Sequence, residues 1–187
     1  MSLIIIKPTN CVKAYEKAAL IFQELYKKVT DIDLKLTNTD DGTSDLIVIG
    51  SDAVNKWVLN QMFEGNIPAR LGLQYGTDSY CIKTFNINGR KVLLLAGGRG
   101  RSTIYAVYDY FERFADCHYF WDGDVIPHRQ ELPLENIDIN ETPRFQYRGL
   151  RYFAHRGLKR YQAEHWSLDD WKQELDWITK KRLNFLC

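Results

Sequence analysis

Two runs of four apolar residues, Leu3-Ile4-Ile5-Ile6 and Leu46-Ile47-Val48-Ile49, constrain this chain more than anything else in it. Successive strand residues point to opposite sides, so a run that is apolar at every position reads as a strand covered on both faces. Pro8 closes the first run and Gly50-Ser51 the second. Asn10 is a good N-cap for a helix beginning just after it. Tyr15, Ala19, Phe22, Tyr26 and Val29 recur there at helical spacing, with Lys13, Glu16, Lys17, Lys27 and Lys28 elsewhere, which predicts an amphipathic helix. Ile32, Leu34 and Leu36 alternate with Asp33, Lys35 and Thr37, the pattern of a half-exposed strand, and Asn38 to Ser44 reads as a loop.

The same grammar continues downstream. Asp52 to Phe63 is predicted helical. Tyr80 to Ile87 and Lys91 to Ala96 form a hairpin joined by Asn88-Gly89, a dipeptide suited to the positive φ angles of a type I′ turn. Gly97-Gly98-Arg99-Gly100-Arg101-Ser102 leads into a third helix, Ser102 to Phe114, with Ile104, Val107, Tyr108 and Phe111 facing inward. Helices alternating with strands, one pair of them a hairpin, give an α+β fold: a mixed sheet flanked by helices. From Asp122 to Pro143 the prolines Pro127, Pro133 and Pro143 and several acidic residues mark a linker, which places a first domain at 1–140 and a second unit at 141–187.

The second unit has its own signals. Phe145 to Phe153 reads as a strand. Ser167 caps a helix running to Arg182, with Asp169 and Asp170 at its positive end and Lys180, Lys181 and Arg182 at its negative end. Leu168, Trp171, Leu175 and Ile178 form its expected buried stripe. The apolar run Leu183 to Cys187 then reads as a strand. A strand so short needs neighbours on both edges, so the chain is expected to be the front piece of a larger protein. Strand, helix, strand is the opening unit of an α/β barrel. On that reading Ala154, His155 and Arg156 point at the barrel's active-site face, and Arg148 and Arg151 sit inside a strand and need a carboxylate or a ligand.

Composition narrows the function classes. In 187 residues, 25 basic and 24 acidic side chains leave a net charge of +1, without the basic stripe that a nucleic acid or an anionic membrane would need. Neither partner is expected. Cys11, Cys81, Cys117 and Cys187 are scattered, which argues against a disulfide framework or a zinc site and favours a reducing, cytoplasmic compartment. An extracellular or periplasmic location would follow if a leader had been trimmed. Four histidines without metal-ligand spacing, no Lys-Ser/Thr after the glycine-rich stretch and no nucleophile elbow leave no metal, no cofactor and no catalytic residue to name. The glycine-rich loop has two readings: a phosphate cradle, or a tight turn folding a helix onto its own strand. Aromatics are 13% of the chain, and Tyr147, Tyr152, Phe153, Tyr161, Trp166, Trp171 and Trp177 crowd its last quarter, where they serve a core or line a sugar site.

Leu94-Leu95-Ala96-Gly97-Gly98-Arg99-Gly100, Tyr105-Ala106-Val107-Tyr108-Asp109, Trp121 to Pro127 and Pro143 to Gly149 succeed one another in order. The pattern resembles the α/β domain that precedes the catalytic barrel in several glycoside hydrolases: β-N-acetylhexosaminidases, α-glucuronidases and α-N-acetylglucosaminidases. Trp171-x-x-Glu174-Leu175-Asp176-Trp177 is most similar to the last of these, and Pro143 to Gly149 to the first. The resemblance covers nearly the whole chain from Asp45. It implies a non-catalytic, β-hexosaminidase domain-2-like unit followed by the start of a truncated TIM barrel. It also implies a carbohydrate substrate at the parent barrel, an amino sugar or uronic acid at a chain end, with the catalytic carboxylates on later strands. Arg148 matches the hexosaminidase arginine that binds a sugar hydroxyl, although Phe153 or Ala154 stands where an acidic residue is usual there. Arg148, His155 and Arg156 are therefore the candidate substrate-binding residues, and the fragment itself is expected to be inactive. A stand-alone carbohydrate-binding or protein-interaction module is the alternative. Apolar surface from Trp171, Leu175 and Phe185 is expected to drive self-association.

Overall fold

Six strands share one sheet in the order β2-β1-β3-β5-β4-β8. In chain order the first elements are β1 (Leu3–Ile6), α1 (Lys13–Thr30), β2 (Lys35–Thr37), β3 (Asp45–Ile49) and α2 (Lys56–Phe63). Then come β4 (Tyr80–Ile87), β5 (Arg90–Gly97), α3 (Gly100–Phe114), and β6 (His118–Phe120) paired with β7 (Gly123–Val125). The chain ends with β8 (Asp138–Glu141), β9 (Gly149–Leu150), α4 (Leu168–Lys180) and β10 (Phe185–Leu186). This computed structural model describes residues 2–9, 12–150 and 165–186.

β2, β1, β3 and β5 run parallel; β4 returns antiparallel to β5, and β8 antiparallel to β4. The two apolar runs are the central strands β1 and β3, and every residue of β3 is buried. Both sheet faces are covered. Ile5, Ile47, Leu93 and Leu95 meet α1 and α3 on one side, with Phe22, Tyr105, Tyr110 and Phe111 filling that layer. Ile4, Leu46, Val48, Val92 and Leu94 meet Val58 of α2, Ile67 and Leu71 on the other. The hairpin turn is as expected, with Asn88 and Gly89 at φ 54° and 79°.

Several boundaries differ from the sequence reading, each for a physical reason. α1 starts after Val12, which makes no side-chain cap, and Asn10 lies outside the described residues. α2 starts four residues later than expected because Asp52 to Val54 form a turn, and Asn55 caps the helix by accepting from Trp57 N. The 122–143 stretch is not a free linker: Ile126, Leu132, Leu134 and Ile137 pack on the larger core, and β8 adds itself to the sheet edge.

β9 and β10 form a separate parallel pair with Phe185 opposite Gly149, connected through α4, so the strand–helix–strand pattern of the second unit is observed. Described β9 covers Gly149–Leu150 of the expected Phe145 to Phe153, and 151–164 fall outside the described residues. The expected stripe on α4 needs correction. The helix buries Glu174 and Ile178, while Leu168 and Leu175 are 71% and 53% exposed. Its inner side is set by polar ties to the β6–β7 hairpin, which turn part of the apolar stripe outward.

Gly97 is where helix and strand come closest: a Cβ there would lie 2.3 Å from the backbone nitrogen of Thr103. Overpacking against backbone cannot be relieved by a rotamer change. Gly97→Ala is expected to destabilise the chain by at least about 2 kcal/mol, read as a lowered urea midpoint at unchanged slope.

Candidate functional site

The carboxyl ends of the parallel strands are where open α/β sheets bind ligands, at the point where strand order reverses. Here that point lies between β1 and β3, and it is closed. Pro8 and Val54 meet over Gly50, where a Cβ would sit 2.8 Å from Val54 and 3.2 Å from Pro8. Two amides of the glycine-rich loop beside it are taken. Gly98 N donates to Ser79 O at 2.8 Å, and Arg99 N to Ser102 Oγ at 3.0 Å. With Gly97 pressed on Thr103, the geometry fits the tight-turn reading. Burial pushes the thiols of Cys81 and Cys117 up to about 12 and about 11, so neither is a nucleophile at neutral pH. Cys11 and Cys187 lie outside the described residues, among which no helix is long and apolar enough to cross a membrane and no group of three His, Cys, Asp or Glu could hold a metal ion.

The densest polar constellation lies instead where the β9-α4-β10 unit meets the sheet. Its centre is Asp78, just before β4, with a side chain only 4% exposed. Its Oδ1 accepts from Arg101 Nε at 2.7 Å. Its Oδ2 accepts from Arg148 Nη2 at 2.9 Å and Asn184 Nδ2 at 2.7 Å. Burial pushes the Asp78 carboxyl up, but the bonds from Arg101, Asn184 and Arg148 outweigh it and hold the group below the ordinary carboxylate value. Arg148 immediately precedes β9 and Asn184 immediately precedes β10. One carboxylate therefore holds the starts of both strands.

The two strand starts are also tied to each other. Asn184 Oδ1 accepts from Arg148 N at 2.8 Å, Asn184 N donates to Arg148 O at 2.8 Å, and Arg148 Nε donates to Arg182 O at 2.9 Å. Arg182 stands at φ 60°, the left-handed position after a helix that glycine normally takes. Its side chain supplies the reason, reaching Asp109 at 3.1 Å and Glu112 at 2.9 Å on α3. Burial pushes the Asp109 carboxyl above its ordinary value, against the pull of Arg182 and Arg113. Tyr105 closes the arrangement by donating to Leu183 O at 2.9 Å. A cleft of about 240 Å³ lies beside it, walled by Tyr80, Tyr105, Pro143, Arg148 and Arg182. Farther along α4, Trp121 Nε1 donates to the buried Glu174 at 2.6 Å, and Lys180 to Asp124 at 2.7 Å.

Of the residues singled out from sequence, Arg148 sits at this junction. Three of its N–H groups go to Asp78, Phe145 O and Arg182 O. Its expected carboxylate partner exists, but it comes from the sheet unit. His155, Arg156 and Arg151 lie outside the described residues. Asp78, Asn184 and Arg182 are site residues that sequence reasoning misses. Asp78 is 70 and 106 residues from its partners, beyond any local pattern. Asn184 does carry a signal, as the single polar residue in the apolar run Leu183 to Cys187.

No family model matches the chain, and no curated protein does. Among solved structures it is similar to a family GH115 4-O-methyl-α-glucuronidase with specificity for decorated arabinogalactans. The TM-score is 0.64 at 14% identity, over 98% of this chain. The chain spans only 24% of that enzyme's length. At such identity what is shared is the fold.

Because the folded Asp78 carboxyl titrates below its ordinary value of 3.8, its contribution is complete above that pH and is lost as pH falls through the folded value. Asp78→Asn is expected to cost about 3 kcal/mol at neutral pH, since it leaves arginines without their buried anion. It should also remove this part of the acid dependence. Hydrogen exchange of the α4 amides, tracked from pH 7 to pH 3 in both proteins, reads both effects; equal protection at pH 7 would contradict them.

Proposed function

We propose that the chain is the leading part of a glycoside hydrolase acting on terminal uronic-acid or amino-sugar residues. In this reading residues 1–140 are a non-catalytic α/β domain, and 141–187 open a (β/α)8 catalytic barrel. The observation that carries it is the structural likeness itself, which covers 98% of the chain, so it takes in the second unit as well as the sheet. The isolated parallel pair supports it, because parallel sheets occur with both faces covered. A two-stranded sheet on its own is marginal at best.

The glucuronidase neighbour weights the substrate towards uronic acids, although the resemblance read from Pro143 to Gly149 leans towards hexosamines. Hydrolysis at such a site proceeds through an oxocarbenium-like transition state. It uses either two carboxylates, or one carboxyl together with the substrate's own acetamido group. We assign none of these carboxyl groups to this chain. Arg148, His155 and Arg156 are proposed to border the substrate on the first barrel strand and the loop after it. The sheet domain buttresses that strand through Asp78.

This reading carries two expectations. The protein encoded by the complete reading frame should release nitrophenol from a uronic-acid or amino-sugar nitrophenyl glycoside, while the 187-residue chain releases none. Flat rates of the complete protein with every such glycoside would remove the hydrolase reading. The isolated chain should also self-associate through Leu168, Leu175 and Phe185, which are 71%, 53% and 47% exposed. Light scattering reads this directly, and a monodisperse monomer at high concentration would count against the exposed face being a contact surface.

A further inference from the structure

The β6–β7 hairpin and the flank of α4 line a second cleft, of about 130 Å³, beside the ties from Trp121 to Glu174 and from Lys180 to Asp124. Trp121 comes directly after β6 and forms one wall, 43% exposed. Its indole N–H is committed to Glu174 at 2.6 Å, which fixes the ring's orientation while leaving much of it open. The remaining wall mixes donors with acceptors. Lys180 holds Asp124 and Asp176, each at 2.7 Å. Burial lowers the pKa of its ammonium, but these two carboxylates raise it further, so the cation is retained. Gln173 donates its side-chain N–H to Trp121 O at 2.6 Å and keeps its oxygen as an acceptor. Trp177 carries a buried indole N–H with no acceptor among the described residues. Asp122 is exposed on the rim.

An aromatic ring held in one orientation beside carboxylate and amide oxygens is a surface that suits a saccharide, whose hydroxyls can donate to those oxygens. Sugar hydroxyls both donate and accept, and the C–H face of a pyranose packs on an aromatic surface. The charges select further. Asp122, Asp124 and Asp176 against Lys180 leave the cleft at −2, which repels anionic sugars. We propose that this cleft binds a neutral saccharide residue. The proposal rests on these residues alone and stands whether or not the hydrolase reading does.

Saturation-transfer difference NMR on the 187-residue chain tests it, with neutral disaccharides of galactose and of N-acetylglucosamine as probes and glucuronic acid as the charged comparator. Transfer to at least one neutral disaccharide is expected, with glucuronic acid bound about fivefold more weakly. Trp121→Leu should weaken binding about tenfold. That change also strands the buried Glu174, so Asp122→Ala is the second variant; it should keep the circular dichroism spectrum and weaken binding about threefold. No transfer to either neutral disaccharide, glucuronic acid bound equally well, or unchanged affinity in Asp122→Ala would each overturn the proposal. None of these readouts depends on whether the complete protein hydrolyses any glycoside.

Discussion

A buried carboxylate governs how the two parts of this molecule meet. Asp78 is 4% exposed, and charge at that depth is tolerated only with full compensation. Arg101 compensates from α3, while Arg148 and Asn184 compensate from the second unit. The consequence is geometric. The residues just before β9 and β10 are bonded to the same oxygen, so one atom ties both strand starts to the sheet. Removing the carboxylate would leave the cations without their anion, so the network is held together by the cost of breaking it. Arg182 adds a second anchor of the same kind, accepting a left-handed backbone so that its guanidinium can reach α3.

The character of this junction separates two kinds of surface on the second unit. The side of α4 towards the sheet domain is polar and directional: Glu174 to Trp121, Lys180 to Asp124 and, just beyond the helix, Arg182 to Asp109. Leu168 and Leu175 of α4, with Phe185 and Leu186 of β10, are apolar and exposed. Directional bonds fix orientation, whereas apolar surface is driven to find cover.

Most of the sheet unit is legible in the sequence because its signals are local. Leu3 to Ile6 and Leu46 to Ile49 announce central strands through their own side chains, Asn88-Gly89 announces its turn, and the inner face of α3 comes from helical spacing. The failures fall where distant residues decide. Helical spacing alone turns every apolar position of α4 inward, but Glu174 is bonded to Trp121, 53 residues away, and that bond sets the rotation of the helix. The prolines of the 122–143 stretch suggest a linker, yet Leu132 and Ile137 bury themselves on the core. For the candidate site the sequence supplies Arg148 and its need for a partner, and cannot supply Asp78. Position in sequence carries no information about a bond 70 residues long.

The closing of the sheet's ligand edge bears on function. In an open doubly wound sheet the crevice at the strand reversal is the natural place for a nucleotide or cofactor. Here Pro8 and Val54 fill it, and the glycine-rich turn has two of its amides bonded to Ser79 and Ser102. The strands of this sheet are buried on both faces and cannot shift without unpacking two cores, which makes the sheet rigid. Rigidity is worth most when something else must be held in place. The polar junction ties the two parallel strands to this doubly covered sheet.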